Sequence, residues 1–203
     1  MGSYLILFDL DGTLVDTAGA GKRAIERAFV ELCGIEAIAE KSSGVRFAGM
    51  TDSSIFQALA EAASIPAIRY AALRAELCSS YLRALVEEMA RPDPKRRIMP
   101  GIGNLLDELR AHPDASLGLL TGSLEAGARI KLEPFGMNGY FRGGGFGSDH
   151  HDRREVARLA RLKIENLSGR EFAPSRVAVV GDTEQDIACA RANGFRAIAV
   201  ESG

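Results

Sequence analysis

The chain opens with a short, unbroken apolar run from Tyr4 to Phe8 that ends at Asp9. Asp11 and Gly12, a pair common in tight turns, follow two residues later. The run is long enough for a strand and too short for a helix of ordinary length. The pattern therefore predicts a buried β-strand whose carboxyl end delivers acidic side chains to a loop.

Apolar residues then recur at helical spacing from about Ala18 to Glu88. The spacing predicts helices near residues 20–33, 52–63 and 67–89, and no strand pattern interrupts them. Two prolines and a run of charges over residues 91–97 predict a linker that returns the chain to the first strand. We therefore predict a helical insertion placed directly after strand one.

Strands and helices alternate in the remainder of the chain. The predicted helices lie near 102–111, 123–133 and 153–165 with one more after residue 182, and the predicted strands near 116–120, 177–180 and 197–200. The glycine-rich stretch 139–147 is typical of a strand end or loop. Such alternation predicts an α/β fold with a doubly wound, Rossmann-like parallel sheet. The predicted division is a core of residues 1–16 and 96–203 with an all-helical insert at 17–95.

Composition narrows the classes of function. The chain has 203 residues, a formal net charge of -2 and a pI near 6.0, which gives no basic surface for a nucleic-acid partner. The first apolar run is too short for a membrane span or a signal peptide, so no membrane partner is expected. Cys33, Cys78 and Cys189 are too few and too scattered for a disulfide framework. We read them as reduced residues of a cytoplasmic protein.

Ligands bind open α/β sheets at the carboxyl ends of the strands, so the residues that follow each predicted strand carry the information about chemistry. These residues are Asp9, Asp11 and Thr13 after the first strand, Thr121, Gly122 and Ser123 after the second, and Asp182 and Asp186 after the third. Four carboxylates brought together would repel one another unless a cation were supplied. Oxygen ligands of this kind suit Mg²⁺.

These motifs, in this order and on these elements, resemble the haloacid dehalogenase superfamily, in the phosphoglycolate phosphatase-like subgroup with a helical C1-type cap inserted after the first motif. The resemblance implies that Asp9 is a nucleophile forming an aspartyl-phosphate and Asp11 a general acid and base. It implies that Thr121 and nearby amides, including those of Gly122 and Ser123, hold the phosphoryl oxygens. It further implies that Asp182, with Asp186, holds Mg²⁺ together with Asp9 and the carbonyl of Asp11. The 17–95 insert would be the cap.

Asp11 also separates the reaction classes that the resemblance implies. Phosphatases and phosphotransferases of this superfamily carry an aspartate two positions after the nucleophile, and the dehalogenases lack it. We therefore expect a Mg²⁺-dependent phosphatase acting on a small phosphorylated metabolite, with phosphoglycolate as the first substrate to test. A phosphomutase similar to β-phosphoglucomutase and a non-catalytic regulator of the same fold are the alternatives. A monomer or a homodimer is expected.

The sequence departs from the superfamily where relatives commonly carry a lysine followed by proline. We expect Arg153 to supply the missing cation and to bind phosphate, with Arg154 and then Lys131 as the alternatives. Asp152 and Glu155 resemble a capping pair, which would put both arginines in the first turn of a helix. Positive charge is unfavourable at a helix N-terminus, and a nearby anion would offset that cost.

Several candidate residues also have structural interpretations. Asp186 fits a capping box with Thr183, and Thr121 fits an ordinary loop hydroxyl. Arg46 and Thr51 resemble a specificity loop of related phosphatases, yet Thr51 is also an ordinary helix start. The glycines before Lys22 suggest a phosphate-binding loop, but the required spacing and the following Ser or Thr are missing.

Overall fold

A parallel sheet organises residues 2–201, the part of the chain that the computed structural model describes. Its strands, together with a short ribbon, are β1 (Tyr4–Phe8), β2 (Val15–Asp16), β3 (Arg97–Ile98), β4 (Ala115–Leu120), β5 (Gly144–Gly145), β6 (Val177–Gly181) and β7 (Arg196–Ala199). Five of them form the sheet in the order β5-β4-β1-β6-β7, with every neighbouring pair parallel. The predicted α/β fold class is confirmed.

Helices fill the connections. They are α1 (Ala20–Cys33), α2 (Ile38–Ser42), α3 (Asp52–Ala62), α4 (Ala67–Ala90), α5 (Ile102–Ala111), α6 (Glu125–Leu132), α7 (Arg153–Ser168) and α8 (Glu184–Ala192). The first four follow one another between β2 and β3, and the others alternate with the strands of the sheet. Apart from α2, this order of helices is the one that the hydrophobic pattern predicts.

Strand β1 is buried because it lies at the centre of the sheet, between β4 and β6. Leu5, Leu7 and Phe8 are fully buried, with β4 on one side and β6 on the other. A central strand of a parallel sheet reads as a continuous apolar run for this reason. Strand β1 ends at Phe8, so Asp9 lies at the carboxyl end of the central strand.

Helices α1 to α4 share a hydrophobic cluster of their own. The rings of Phe29 and Phe56 pack edge to face at 6.3 Å between centroids, and those of Phe56 and Tyr81 at 5.5 Å. The antiparallel ribbon β2–β3 pairs Val15 with Ile98 where the chain leaves and re-enters the sheet layer. This arrangement is compatible with a helical insert, and the domain boundaries at residues 17 and 95 stay a prediction.

Several elements differ from the predicted pattern, among them the β2–β3 ribbon, which the sequence did not predict. Helix α2 was not expected, because five residues are too few to give a periodic signal. Helix α6 begins at Glu125 rather than near 123, since the backbone of Leu124 is still non-helical, with a ψ of 145°. Helix α7 runs to Ser168, three residues beyond the predicted end, and stops at Gly169, which takes up a left-handed conformation.

Among residues 2–201, no helix combines the length and the apolar character that crossing a bilayer requires. Helix α4 has 24 residues, but charged side chains recur along it.

Truncating Phe29 tests the helical cluster, because this ring is fully buried against Phe56. We expect Phe29→Ala to lower the free energy of unfolding by about 3–5 kcal/mol through the cavity it leaves. Val30, the next residue along α1, is 39% exposed, and Val30→Ala should change that free energy by about 0.5 kcal/mol or less. Urea unfolding followed by circular dichroism measures both. Equal losses in the two variants would contradict the packing described for α1.

Candidate active site

Three loops carrying polar side chains meet at the carboxyl ends of the central strands. Asp9 follows β1, Thr121 follows β4 and Asp182 follows β6. Because β1 lies between β4 and β6, these loops lie side by side at the edge where open α/β sheets bind ligands. The structure thus brings together the three motifs that the sequence singled out.

A cavity of about 430 Å³ lies between these loops and the helices that follow β2. From the sheet side it is lined by Asp9, Asp11, Thr121, Gly122, Ser123, Lys131, Arg153 and Asp182, and from the helical side by Lys22, Ile25, Phe47, Met50, Asp52, Ile55 and Tyr81. The first wall is mostly charged and polar, and the second is mostly apolar. A cavity of this size and character suits a small molecule with one highly polar end.

Asp9 is the most buried of the acidic residues that follow β1, with 5% of its surface exposed. Its Oδ1 lies 2.9 Å from Nη2 of Arg153. Burial raises the pKa of Asp9 to about 7, even though the nearby Arg153 guanidinium lowers it, and the Asp186 carboxylate adds to the rise. A bound cation would therefore favour the ionised form of Asp9 at neutral pH.

Asp182 approaches Asp9 because the backbone leaves room for it. Gly12 has a φ of +82°, and a Cβ at this position would lie 2.3 Å from Oδ2 of Asp182. Thr13 donates its hydroxyl hydrogen to Oδ1 of Asp182 at 3.4 Å. Gly12 thus permits both the left-handed turn after Asp11 and the close approach of Asp182 to this loop.

The structure confirms the capping interpretation of Asp186, and its metal-binding interpretation stays a prediction. Its Oδ2 accepts hydrogen bonds from the backbone amide and hydroxyl of Thr183, at 3.0 Å and 2.6 Å, which makes it part of the capping box of α8. Its Oδ1 accepts from Nη2 of Arg153 at 2.5 Å. One oxygen each of Asp9, Asp182 and Asp186 nevertheless lie within 4.8 Å of one another, a separation that a single cation could bridge.

Of the two neighbouring arginines, Arg153 is the one that enters the site. Its side chain is 9% exposed and contacts Asp9 and Asp186, whereas that of Arg154 is 65% exposed and pairs with Asp152. Asp152 caps α7 by accepting from the Arg154 amide, as expected. The expected capping partner Glu155 instead pairs with Arg158, so that part of the prediction is wrong.

The loop after β4 is held tightly against the helical segment. Thr121 is buried, and its hydroxyl accepts from the Ser123 amide at 3.3 Å. The carbonyl of Gly122 accepts from the Asp52 amide at 2.8 Å, and a Cβ on Gly122 would lie 2.1 Å from the carbonyl oxygen of Met50. Only glycine fits at this contact.

Asp11 lines the same cavity but is not a member of the three-carboxylate cluster found among the described residues. Its Oδ2 accepts from Nζ of Lys131 at 2.5 Å, and its Oδ1 accepts from the Thr17 hydroxyl at 3.1 Å. Nζ of Lys131 also donates to Oγ of Ser123 at 3.0 Å. Sequence reasoning offered Lys131 only as a third choice of cation and overlooked Thr17. A signal for Lys131 existed, because it falls on the buried stripe of α6 with Ala128.

Arg46 and Thr51, the residues expected to form a specificity loop, do not line the described cavity. Arg46 is exposed, and Thr51 is buried as the N-cap of α3, where its hydroxyl accepts from the Ser54 amide at 3.2 Å. The residues between them, including Phe47 and Met50, reach the cavity instead. The side chains of this segment that face the cavity are thus apolar, and its role in specificity stays a prediction.

Comparison with known proteins agrees with this architecture. The profile of the haloacid dehalogenase-like hydrolase family matches residues 6–200. A phosphoglycolate phosphatase of Agrobacterium fabrum is 28% identical over 99% of this chain and 82% of its own length, and one of Pseudomonas putida is 24% identical over 98% and 70%. The crystal structure of CbbY from Rhodobacter sphaeroides in complex with phosphate has a TM-score of 0.71 at 20% identity, covering 98% of this chain and 86% of that one.

The fold is a parallel sheet with acidic loops at its carboxyl edge, and the profile matches almost the whole chain. Together these findings define the class of protein as a hydrolase. The chain belongs to the haloacid dehalogenase-like hydrolase family. The predicted enzyme class, a phosphatase-type hydrolase, is confirmed by the profile and by the phosphoglycolate phosphatases among its relatives.

The raised pKa of Asp9 predicts a pH-dependent effect of neutralising it. The pKa of Asp9 is ~3.9 in the unfolded chain and about 7 in the folded one. Ionisation of Asp9 therefore lowers the free energy of unfolding more and more as pH rises through this interval. In buffer containing EDTA, Asp9→Asn should therefore raise the melting temperature more at pH 8 than at pH 5.

Differential scanning calorimetry measures this difference, with Glu108→Gln as the control at an exposed position. The control should shift the melting temperature alike at both pH values. A stabilisation by Asp9→Asn that was larger at pH 5 would refute the assignment of the raised pKa to Asp9.

Proposed function

We propose that this chain is a Mg²⁺-dependent phosphatase that hydrolyses a small phosphorylated metabolite through an aspartyl-phosphate on Asp9. The observation that carries the proposal is the position of Asp9. It is buried at the end of the central strand, on the wall of the cavity, between a guanidinium and two further carboxylates.

The donor set fits Mg²⁺, because it consists of oxygen atoms only. The side chains of Asp9 and Asp182 and the carbonyl of Asp11 are the proposed ligands, with Asp186 as the third carboxylate of the cluster. Both oxygens of Asp186 already accept from Arg153 and Thr183, so in our proposal it contributes mainly by holding the cluster in place. When bound, the ion would offset the negative charge of the carboxylates and of the phosphate.

Asp9 would act first. One of its carboxylate oxygens attacks phosphorus, the bond from phosphorus to the ester oxygen breaks, and that oxygen leaves with the proton of the Asp11 carboxyl. A water molecule then attacks the same phosphorus atom, its proton passes to Asp11, and the bond to Asp9 breaks to release inorganic phosphate. The second step thus reverses what the first did to both aspartates, and the two steps together return them to the state in which the cycle began.

The phosphoryl oxygens would be held by donors on two neighbouring elements. These are the Thr121 and Ser123 hydroxyls and the Gly122 amide on the loop after β4, and the guanidinium of Arg153 at the start of α7. Nε of Arg153 is buried and has no partner among the described residues, which leaves a donor for an incoming oxygen. Phosphoryl transfer depends mainly on such positioning and on charge stabilisation.

The cavity limits the substrate to a small one. Its volume of about 430 Å³ and the apolar side chains Ile25, Phe47 and Ile55 on the far wall suit a phosphate on a short carbon skeleton. Phosphoglycolate is the first substrate to test, because several curated relatives are phosphoglycolate phosphatases.

The test is a phosphate-release screen over phosphorylated metabolites, run with Mg²⁺ and with excess chelator. We expect release with Mg²⁺ and its loss on chelation. Asp9→Asn should lower kcat by at least about a thousandfold, because the nucleophile is removed. Equal release by this variant and the parent would refute the proposed nucleophile, and an isomerised sugar phosphate with little free phosphate would favour a phosphomutase.

The neighbouring arginines provide a matched pair for the phosphate site. Arg153→Met should lower kcat/KM by about 10²–10³-fold, because a buried charged donor is lost. Arg154→Met should stay within about twofold of the parent, because that side chain is solvated. Steady-state kinetics on the best substrate of the screen measures both. Comparable losses in the two variants would contradict the role of Arg153.

A further inference from the structure

Lys131 is a buried cation that the proposed mechanism does not use. It lies on α6 with 5% of its surface exposed, and lysines are rarely so buried unless they are paired. Its side chain passes against the start of α1, where a Cβ on Gly21 would lie 3.3 Å from its Cε and 3.4 Å from its Nζ. The ammonium group is therefore confined between α1 and the loop after β4.

The ammonium group joins two of the motif loops. Nζ donates to Oδ2 of Asp11 at 2.5 Å and to Oγ of Ser123 at 3.0 Å. An ammonium has three donors, so these two contacts occupy most of its capacity. Arg153, in contrast, is directed at Asp9. The site thus contains two separate cation–carboxylate pairs, one for each of the two proposed reacting aspartates.

Lys131 stays charged in these surroundings. Burial lowers the pKa of Lys131, but the carboxylates of Asp11 and Asp52 more than reverse this effect and raise the pKa above its ordinary value. The contact with Asp11 is therefore an ion pair as well as a hydrogen bond once Asp11 has given up its proton to the leaving oxygen.

The other oxygen of Asp11 is also held. The Thr17 hydroxyl donates to Oδ1 at 3.1 Å, from the segment that connects β2 to α1. The Asp11 carboxylate is 45% exposed toward the cavity, so packing alone does not orient it. Contacts from two different elements fix its plane, and Lys131 supplies the charged one.

We infer that Lys131 is a positioning residue: it orients the Asp11 carboxylate relative to the bond that breaks, and it holds Ser123 in the same contact. This inference rests on the proposed phosphatase function. Lys131 would thus act on Asp11 rather than on the phosphate, whereas Arg153 would contact the phosphate and Asp9.

Removal of the ammonium group should reduce turnover more than binding. We expect Lys131→Met to lower kcat by about 10–100-fold, because small misplacements of a reacting group have effects of this size. KM for the best substrate should change by less than about threefold. Lys163→Met, which removes a half-exposed lysine that pairs with Asp149 away from the cavity, serves as the control and should leave both constants unchanged.

A double-mutant cycle with Asp11→Asn gives the decisive kinetic readout. If Lys131 acts through Asp11, Lys131→Met should lower kcat by about twofold or less when Asp11→Asn is already present. Independent, multiplicative losses, or a rise in KM at unchanged kcat, would show that Lys131 binds substrate directly and would overturn the inference. Lys131→Gln, which keeps a polar contact without the charge, replaces the methionine variant if that variant does not fold.

A crystal structure of Lys131→Met, or of Lys131→Gln, tests the same inference without any activity. The Asp11 carboxylate should change its rotamer or lose its contact with the Thr17 hydroxyl. An unchanged Asp11 would overturn the positioning role. If the parent released no phosphate from any substrate, the proposed function would be refuted. If the parent were active and Lys131→Met were equally active, only the inference about Lys131 would be refuted.

Discussion

Repulsion between carboxylates at one edge of the sheet is the constraint on which the site depends. The sheet topology brings Asp9, Asp182 and Asp186 so close that one oxygen of each lies within 4.8 Å of the others. Burial makes this arrangement more costly, because ionised groups lose their hydration. Arg153 offsets part of the cost through contacts to Asp9 and Asp186, and a divalent cation would offset more. Without a further cation, the cluster therefore lowers folding stability, and a bound divalent ion would reverse part of that loss.

The helical segment is tied to the same edge through backbone contacts. The amide of Asp52, the first residue of α3, donates to the carbonyl of Gly122, and the Asp52 carboxylate accepts from the Leu124 amide at 2.8 Å. Burial raises the pKa of Asp52, while the Lys131 ammonium acts in the opposite direction. The N-terminus of α3 and the loop after β4 thus determine each other's position, and the proposed phosphate site depends on both.

The features that could be predicted from sequence are those set by local pattern. An apolar run ending in an acidic pair defines β1 and Asp9, and a capped helix start puts Arg153 at the edge of the site. The features that could not be predicted depend on tertiary contacts. Thr17 reaches Asp11 and Lys131 crosses to it from α6, and neither partner follows from spacing along the chain. The sequence therefore predicted which carboxylates lie at this edge of the sheet, but not the side chains that contact Asp11.

The two buried cations differ in chemistry as well as in position. A guanidinium offers several donors in one plane, so Arg153 can contact Asp9 and Asp186 at once and still have Nε unpaired. An ammonium is a compact charge, and Lys131 directs it at one oxygen of Asp11 and one of Ser123. The planar donors of Arg153 can contact the proposed nucleophile and a phosphoryl group at the same time, whereas the ammonium of Lys131 is used on Asp11 and Ser123. This separation is consistent with the proposed mechanism, in which the two aspartates act at different steps.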